Sequence, residues 1–127
     1  MLLDKKIIDF YQKQGVVLLK NVLSKNWINI LKEGIIKNFN NPSKYKSVYE
    51  KSKDIELFYD DYCNWKRIFE YKDFLFNSGI ASIASQLINS KKINLFHEHV
   101  LIKEPGAEKK TPWHQDQSYY CVEGRQN

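Results

Sequence analysis

The 127 residues are enough for one domain and too few for two, and 43% hydrophobic with 14% aromatic content excludes a disordered class. No apolar run approaches the ~18–20 residues of a membrane span. Met1–Phe10 is too charged for a secretory leader, and two cysteines, Cys63 and Cys121, are too few for a disulfide framework, so a reducing cytoplasmic setting is expected.

The formal charge of +5 invites a nucleic-acid reading, but all of the twenty cations except Arg67 and Arg125 are lysine. Planar readout of phosphates and bases favours arginine. These lysines are also interleaved with Asp and Glu along the chain. A solvated basic surface is expected, not a nucleic-acid partner.

In chain order, Asp4–Gln14 carries Ile7, Ile8, Phe10 and Tyr11 at helical spacing, with Gly15 placed to stop it. Val16–Leu19 is uniformly apolar and predicts a short buried strand. Ser24 is a candidate N-cap for a helix running to about Asn38, with Trp27, Ile28, Leu31, Ile35 and Ile36 on one face. Asn38–Lys53 is polar, contains Asn40-Asn41-Pro42-Ser43, and reads as a surface loop. From Ile55 to Tyr71 the pattern is aromatic and ambiguous. Phe58, Tyr59, Tyr62, Trp65, Ile68 and Phe69 fall at roughly helical spacing, which suits core packing. Ser78–Asn89 is a clearer amphipathic helix, built on Ile80, Ile83, Ala84, Leu87 and Ile88.

Strand-like content begins only near residue 93, over Ile93–Lys103. Glu104–Lys110 is rich in turn formers, and Thr111–Tyr120 reads as a second extended segment. The expected organisation is a single α+β unit, helical over 1–92 and stranded over 93–127.

All three histidines lie between residues 97 and 114, in His97-Glu98-His99 and His114-Gln115-Asp116. If the second motif is a strand, His114 and Asp116 project from one face and Gln115 from the other. An imidazole and a carboxylate side by side make two adjacent ligands for a divalent metal. With a distant second histidine, they compose the facial triad of non-haem Fe(II) oxygenases. A bare His-x-Asp also suits a surface ion pair or a cap.

From Phe96 onward the sequence FHEHVLIKEPGAEKKTPWHQDQSYYCVEGRQN resembles the phytanoyl-CoA dioxygenase family of Fe(II)/2-oxoglutarate oxygenases. The specific part is Lys103-Glu104-Pro105-Gly106, a basic turn, then Thr111-Pro112-Trp113-His114-Gln115-Asp116, with aromatics at Tyr119 and Tyr120. The helix, Gly15-Val-Val-Leu-Leu and helix order of the N-terminus agrees, as does the helix before the His-Glu-His motif.

The resemblance implies N-terminal helices followed by the first strands of a double-stranded β-helix, or jelly roll. It implies Fe(II) and 2-oxoglutarate as metal and cosubstrate, with a small-molecule or acyl substrate. His114 and Asp116 match the proximal iron ligands. His99 matches a position bordering the 2-oxoglutarate pocket. Lys103, sharing the parity of residues 97, 99 and 101, faces the same pocket or ends the strand as a surface lysine. Lys66, beside Trp65, matches a cosubstrate-contacting lysine of some relatives. Trp113 and Tyr119 flank the metal site as substrate-pocket walls, or else serve as aromatic core.

The family's second histidine ligand and its cosubstrate arginine lie well downstream of His-x-Asp. Here no histidine follows His114, and Arg125 comes too soon after Asp116. The expectation is an N-terminal portion of the enzyme, inactive alone.

Other readings stay open. His97-x-His99 with Glu104 is similar to the first metal motif of cupins, although Lys91 and Thr111 stand where its glycines belong. His97, His99, His114 and Asp116 suit a four-ligand zinc site, whereas Phe96 and Val100 beside His97 suit a satisfied interior position. Neither Cys63 nor Cys121 lies in a nucleophile motif. A non-catalytic assembly module is the remaining alternative, with an unpaired edge strand near Tyr119–Val122 as a template for self-association.

Overall fold

The structure is a computed structural model that describes residues 2–118 and Tyr120. Its first helix, α1, spans Lys5–Gln14. The Asp4 carboxylate accepts the Lys6 N–H at the start, and Gly15 at φ 74° ends it by returning its N–H to the Tyr11 carbonyl. A left-handed residue at that position favours glycine. The second helix, α2, spans Lys25–Asn40, and Ser24 Oγ caps it by accepting the Trp27 N–H. It runs slightly beyond the expected end at Asn38.

The intervening Val16–Leu19 is not a strand. It is extended but outside the sheet, with Val16 and Leu18 mostly exposed. An apolar run becomes a strand only when a neighbour completes its backbone ladder, and among the described residues none does.

The segment expected as a loop contains strand β1, Ser47–Ser52, which turns through Lys53-Asp54 into β2, Ile55–Tyr62. β1 is a polar edge strand in which Lys51 is exposed and the Glu50 carboxylate accepts the Glu108 and Lys109 N–H groups. That composition hides a strand and also discourages pairing with other chains. β2 corrects the helical spacing suggested for the aromatic stretch. It is central, between β1 and β3 (His99–Lys103), and both pairings are antiparallel. Phe58, Tyr59, Asp60 and Asp61 are all buried. A strand covered on both faces loses the alternation that would have marked it. Strands therefore begin near residue 47, not 93, and the stretch expected over Ile93–Lys103 pairs only from His99.

Helix α3 spans Phe69–Asn77 and α4 spans Ile80–Leu87. α2 packs on α3, α3 on α4, and α4 on α1. Ile35, Asn38 and Phe39 of α2 meet Tyr59, Asp61, Val100 and Ile102 of the sheet around a small crevice. One face of the sheet is thus covered by α2. By register, the opposite face carries Phe58, Asp60 and Tyr62 beside Lys103, Leu101 and His99. The arrangement is α+β, and among the described residues no helix is long and apolar enough to cross a membrane.

The helix-side core contains a polar centre. The Asp61 carboxylate accepts bonds from Asn38 Nδ2, the Ser43 N–H and the Ser43 hydroxyl, while the Tyr71 hydroxyl donates to Asn38 Oδ1. Burial alone would raise the Asp61 pKa, but the bonds from Ser43 and Asn38 hold it below the usual range. Burial also pushes the Tyr71 phenol up, so it remains a donor.

Candidate metal and cosubstrate site

His114 and Asp116 do not sit on a strand. Residues 111–115 run without regular pairing, and Asp116–Ser118 forms a single 3-10 turn in which Ser118 Oγ donates to the Gln115 carbonyl. Strand parity therefore does not explain the site or place Gln115 on an opposite face. The turn itself brings the pair together: His114 Nε2 lies 3.2 Å from Asp116 Oδ1. His114 Nδ1 lies 2.8 Å from the Pro112 carbonyl oxygen. A carbonyl can only accept, so Nδ1 carries the proton and Nε2 is the nitrogen turned to the carboxylate. Both side chains are solvent-accessible, Asp116 more so than His114.

This donor set fits a divalent metal. Nitrogen and oxygen ligands bind at about 2.0–2.2 Å, so two of them at a right angle lie about 3 Å apart, close to the observed separation. Metal-bound imidazoles also commonly donate their other N–H to a backbone carbonyl, as His114 does to Pro112.

His99 opens β3 and lies elsewhere on the sheet. Its Nε2 is 2.7 Å from Asp60 Oδ2, and the Tyr49 hydroxyl donates to that same oxygen at 2.8 Å. Burial, followed by the hydrogen bond to Asp60, raises the Tyr49 pKa and keeps the hydroxyl protonated. The Tyr62 ring meets His99 edge-on. His97 is half-buried among the rings of Phe96, Tyr62 and Tyr120. Among the described residues, no three His, Cys, Asp or Glu side chains gather as a metal cluster. Neither the His97/His99/Glu104 set nor the four-ligand zinc set is assembled there.

Lys103 keeps the parity of His99 and Leu101, but its ammonium group donates to the Lys109 carbonyl at 2.6 Å and lies over the Phe58 ring. It ties the strand end to the basic turn. Lys66 is exposed and rests over the neighbouring Trp65 ring, 5.4 Å from its centroid. Trp113 is fully exposed, so it is not part of an aromatic core. Tyr119, Cys121, Arg125 and the edge expected near Tyr119–Val122 lie outside the described residues, apart from Tyr120.

Sequence reasoning missed three carboxylates. Asp60 holds His99, and Asp61 anchors the polar core. Glu98 takes the N–H groups of Asn64 and Trp65 on its two oxygens, while its own carbonyl accepts the Cys63 N–H. Glu98 thereby fixes the connection from β2 to α3 that carries Lys66. The available signal was the Asp60-Asp61 pair inside an aromatic run, where buried acids need partners.

No curated protein and no solved structure matched the chain. The family model described as phytanoyl-CoA dioxygenase matches residues 11–126, which include both histidine motifs. The chain belongs to the phytanoyl-CoA dioxygenase family, a family of oxygenases.

Proposed function

We propose that the chain forms the part of an Fe(II)/2-oxoglutarate dioxygenase that carries the first two iron ligands, His114 and Asp116. The observation behind this reading is their 3.2 Å approach with the His114 Nδ1 proton held by Pro112. Bound Fe(II) would supply O2 activation coupled to decarboxylation of 2-oxoglutarate, ending in hydroxylation of a substrate C–H bond.

The chain's own part is orientation. Pro112 fixes the imidazole and Asp116 contributes the anionic ligand. His99 borders the cosubstrate, with Lys103 and Lys66 as further candidate contacts, and Trp113 and Tyr119 supply apolar walls for a small-molecule or acyl substrate. In this reading the sheet of β1, β2 and β3 corresponds to the first strands of a jelly roll. A reducing cytoplasm suits this reading, because Fe(II) and the exposed Cys63 thiol both persist there.

A third ligand and a cosubstrate arginine are not supplied by these 127 residues, since no histidine follows His114. The chain alone is therefore expected to bind Fe(II) weakly and to turn over no substrate. The test is anaerobic addition of Fe(II) and 2-oxoglutarate, read by the visible charge-transfer absorption of the Fe(II)–2-oxo acid chelate. Absorption that depends on both His114 and Asp116 supports the reading, and absorption unchanged in His114→Ala and Asp116→Ala contradicts it. Succinate production by this chain would contradict the need for a third ligand.

A further inference from the structure

We infer that Asp60 is a positioning residue: it holds the proton of His99 on Nε2, so that Nδ1 is the nitrogen presented to the carboxyl end of a 2-oxo acid. The inference deepens the proposed function and rests on it for the identity of that ligand.

Asp60 lies near the end of the central strand, 4% exposed, opposite Leu101 and two register pairs from the Tyr62–His99 pair, on the same face as His99. Two groups converge on its Oδ2, the Tyr49 hydroxyl at 2.8 Å and His99 Nε2 at 2.7 Å. The other oxygen, Oδ1, is buried without a hydrogen-bond partner among the described residues. A carboxylate so placed is costly to keep, and an apolar side chain would fill the position with less penalty. What that buried carboxylate gains in this fold is the ring beside it, His99.

The proton inventory settles the direction. Tyr49 donates its O–H to Asp60, so the carboxylate acts as acceptor. The facing nitrogen of His99 must then carry hydrogen. The His99 side chain is 38% exposed, against 5% for Asp60, so the ring bridges a buried anchor and an accessible surface. With Nε2–H committed, Nδ1 is left to the ligand, and a second proton on the ring can only be added there. A proton at Nδ1 would be donated to an incoming carboxylate, with the Asp60 carboxylate behind the ring. Without Asp60, the ring can take either tautomer and either orientation. A buried acid fixing a catalytic imidazole tautomer from behind is the established logic of Ser-His-Asp triads in other proteins.

The test is 15N long-range NMR of His99 in the 127-residue chain, comparing wild type with Asp60→Asn and Tyr49→Phe. The wild type and Tyr49→Phe are expected to hold the Nε2–H form. Asp60→Asn can present an amide donor to Nε2 and is expected to move the proton to Nδ1. A wild-type Nδ1–H form, or no change in Asp60→Asn, overturns the inference. If Asp60→Asn does not fold, as read by circular dichroism, the wild-type and Tyr49→Phe tautomers decide.

Adding 2-oxoglutarate with diamagnetic Zn(II) in place of Fe(II) should shift Nδ1 and leave Nε2 in place, and Asp60→Asn should weaken that response. A response at Nε2, or none while the iron chelate forms, overturns the inference and leaves the oxygenase reading standing. Loss of iron binding with the Asp60-dependent tautomer intact has the reverse meaning.

Discussion

Glu98 and Trp65 are joined across 33 residues by a 3.0 Å hydrogen bond from the Trp65 N–H to Glu98 Oε2, and the other Glu98 oxygen takes the Asn64 N–H. The acid between His97 and His99 therefore serves the backbone of the β2–α3 connection. Asn64 is fully buried, so its N–H has no ready access to water. Replacing Glu98 with Ala should cost about 1–3 kcal/mol, the penalty of leaving a buried donor unpaired. A lower urea midpoint in Glu98→Ala, with Glu98→Gln intermediate, is the expected result.

The approach of α2 to α3 depends on Gly34. A Cβ there would lie 2.7 and 2.9 Å from the Tyr71 ring and 3.1 Å from Glu70 Cβ. Tyr71 is 3% exposed and its hydroxyl is bonded to Asn38, so the ring has little room to move aside. Gly34→Ala should destabilise the chain by about 1–3 kcal/mol through overpacking, despite alanine's better helix propensity. Thermal unfolding of Gly34→Ala beside Tyr71→Phe measures it. The glycine variant should lose more, because the phenylalanine removes one hydrogen bond without adding volume.

Acid should weaken the same core. Burial acts to raise the Asp61 pKa, but the bonds from Ser43 and Asn38 bring it below its ordinary 3.8. Glu70 is likewise lowered, chiefly by its bond from Lys37 and against the opposing effect of burial. For carboxyls lowered by folding, the added stability is complete above the unfolded pKa and disappears as pH falls through the folded one. The urea midpoint should be flat above about pH 5 and fall below about pH 4. Asp61→Asn should flatten that fall and lower the plateau, and a midpoint that rises on acidification would contradict this assignment.

The sequence made these elements legible to different degrees. Asp4 with Gly15, and Ser24 before Trp27, mark helix ends through local hydrogen bonds, so α1 and α2 were readable from neighbouring residues alone. Ser47–Ser52 and Val16–Leu19 misled in opposite directions because strand identity depends on a partner distant in sequence. The polar segment found β2, whereas the apolar one found no strand partner among the described residues. Strand parity pairs His114 with Asp116 in the sequence, whereas the structure brings the two together without a strand, at a short turn. Asp60 was not legible as the partner of His99, because 39 residues separate them and only the β2–β3 register aligns them.

Which histidine holds iron decides between the dioxygenase site and the cupin-like one. Anaerobic Fe(II) titration should be measured for the wild type, His114→Ala, Asp116→Ala and His97→Ala under one set of conditions. The account predicts at least about a 10-fold loss of affinity in His114→Ala and Asp116→Ala, with His97→Ala unchanged. Loss confined to His97→Ala, with His114→Ala still binding like wild type, would contradict it and favour the cupin-like site.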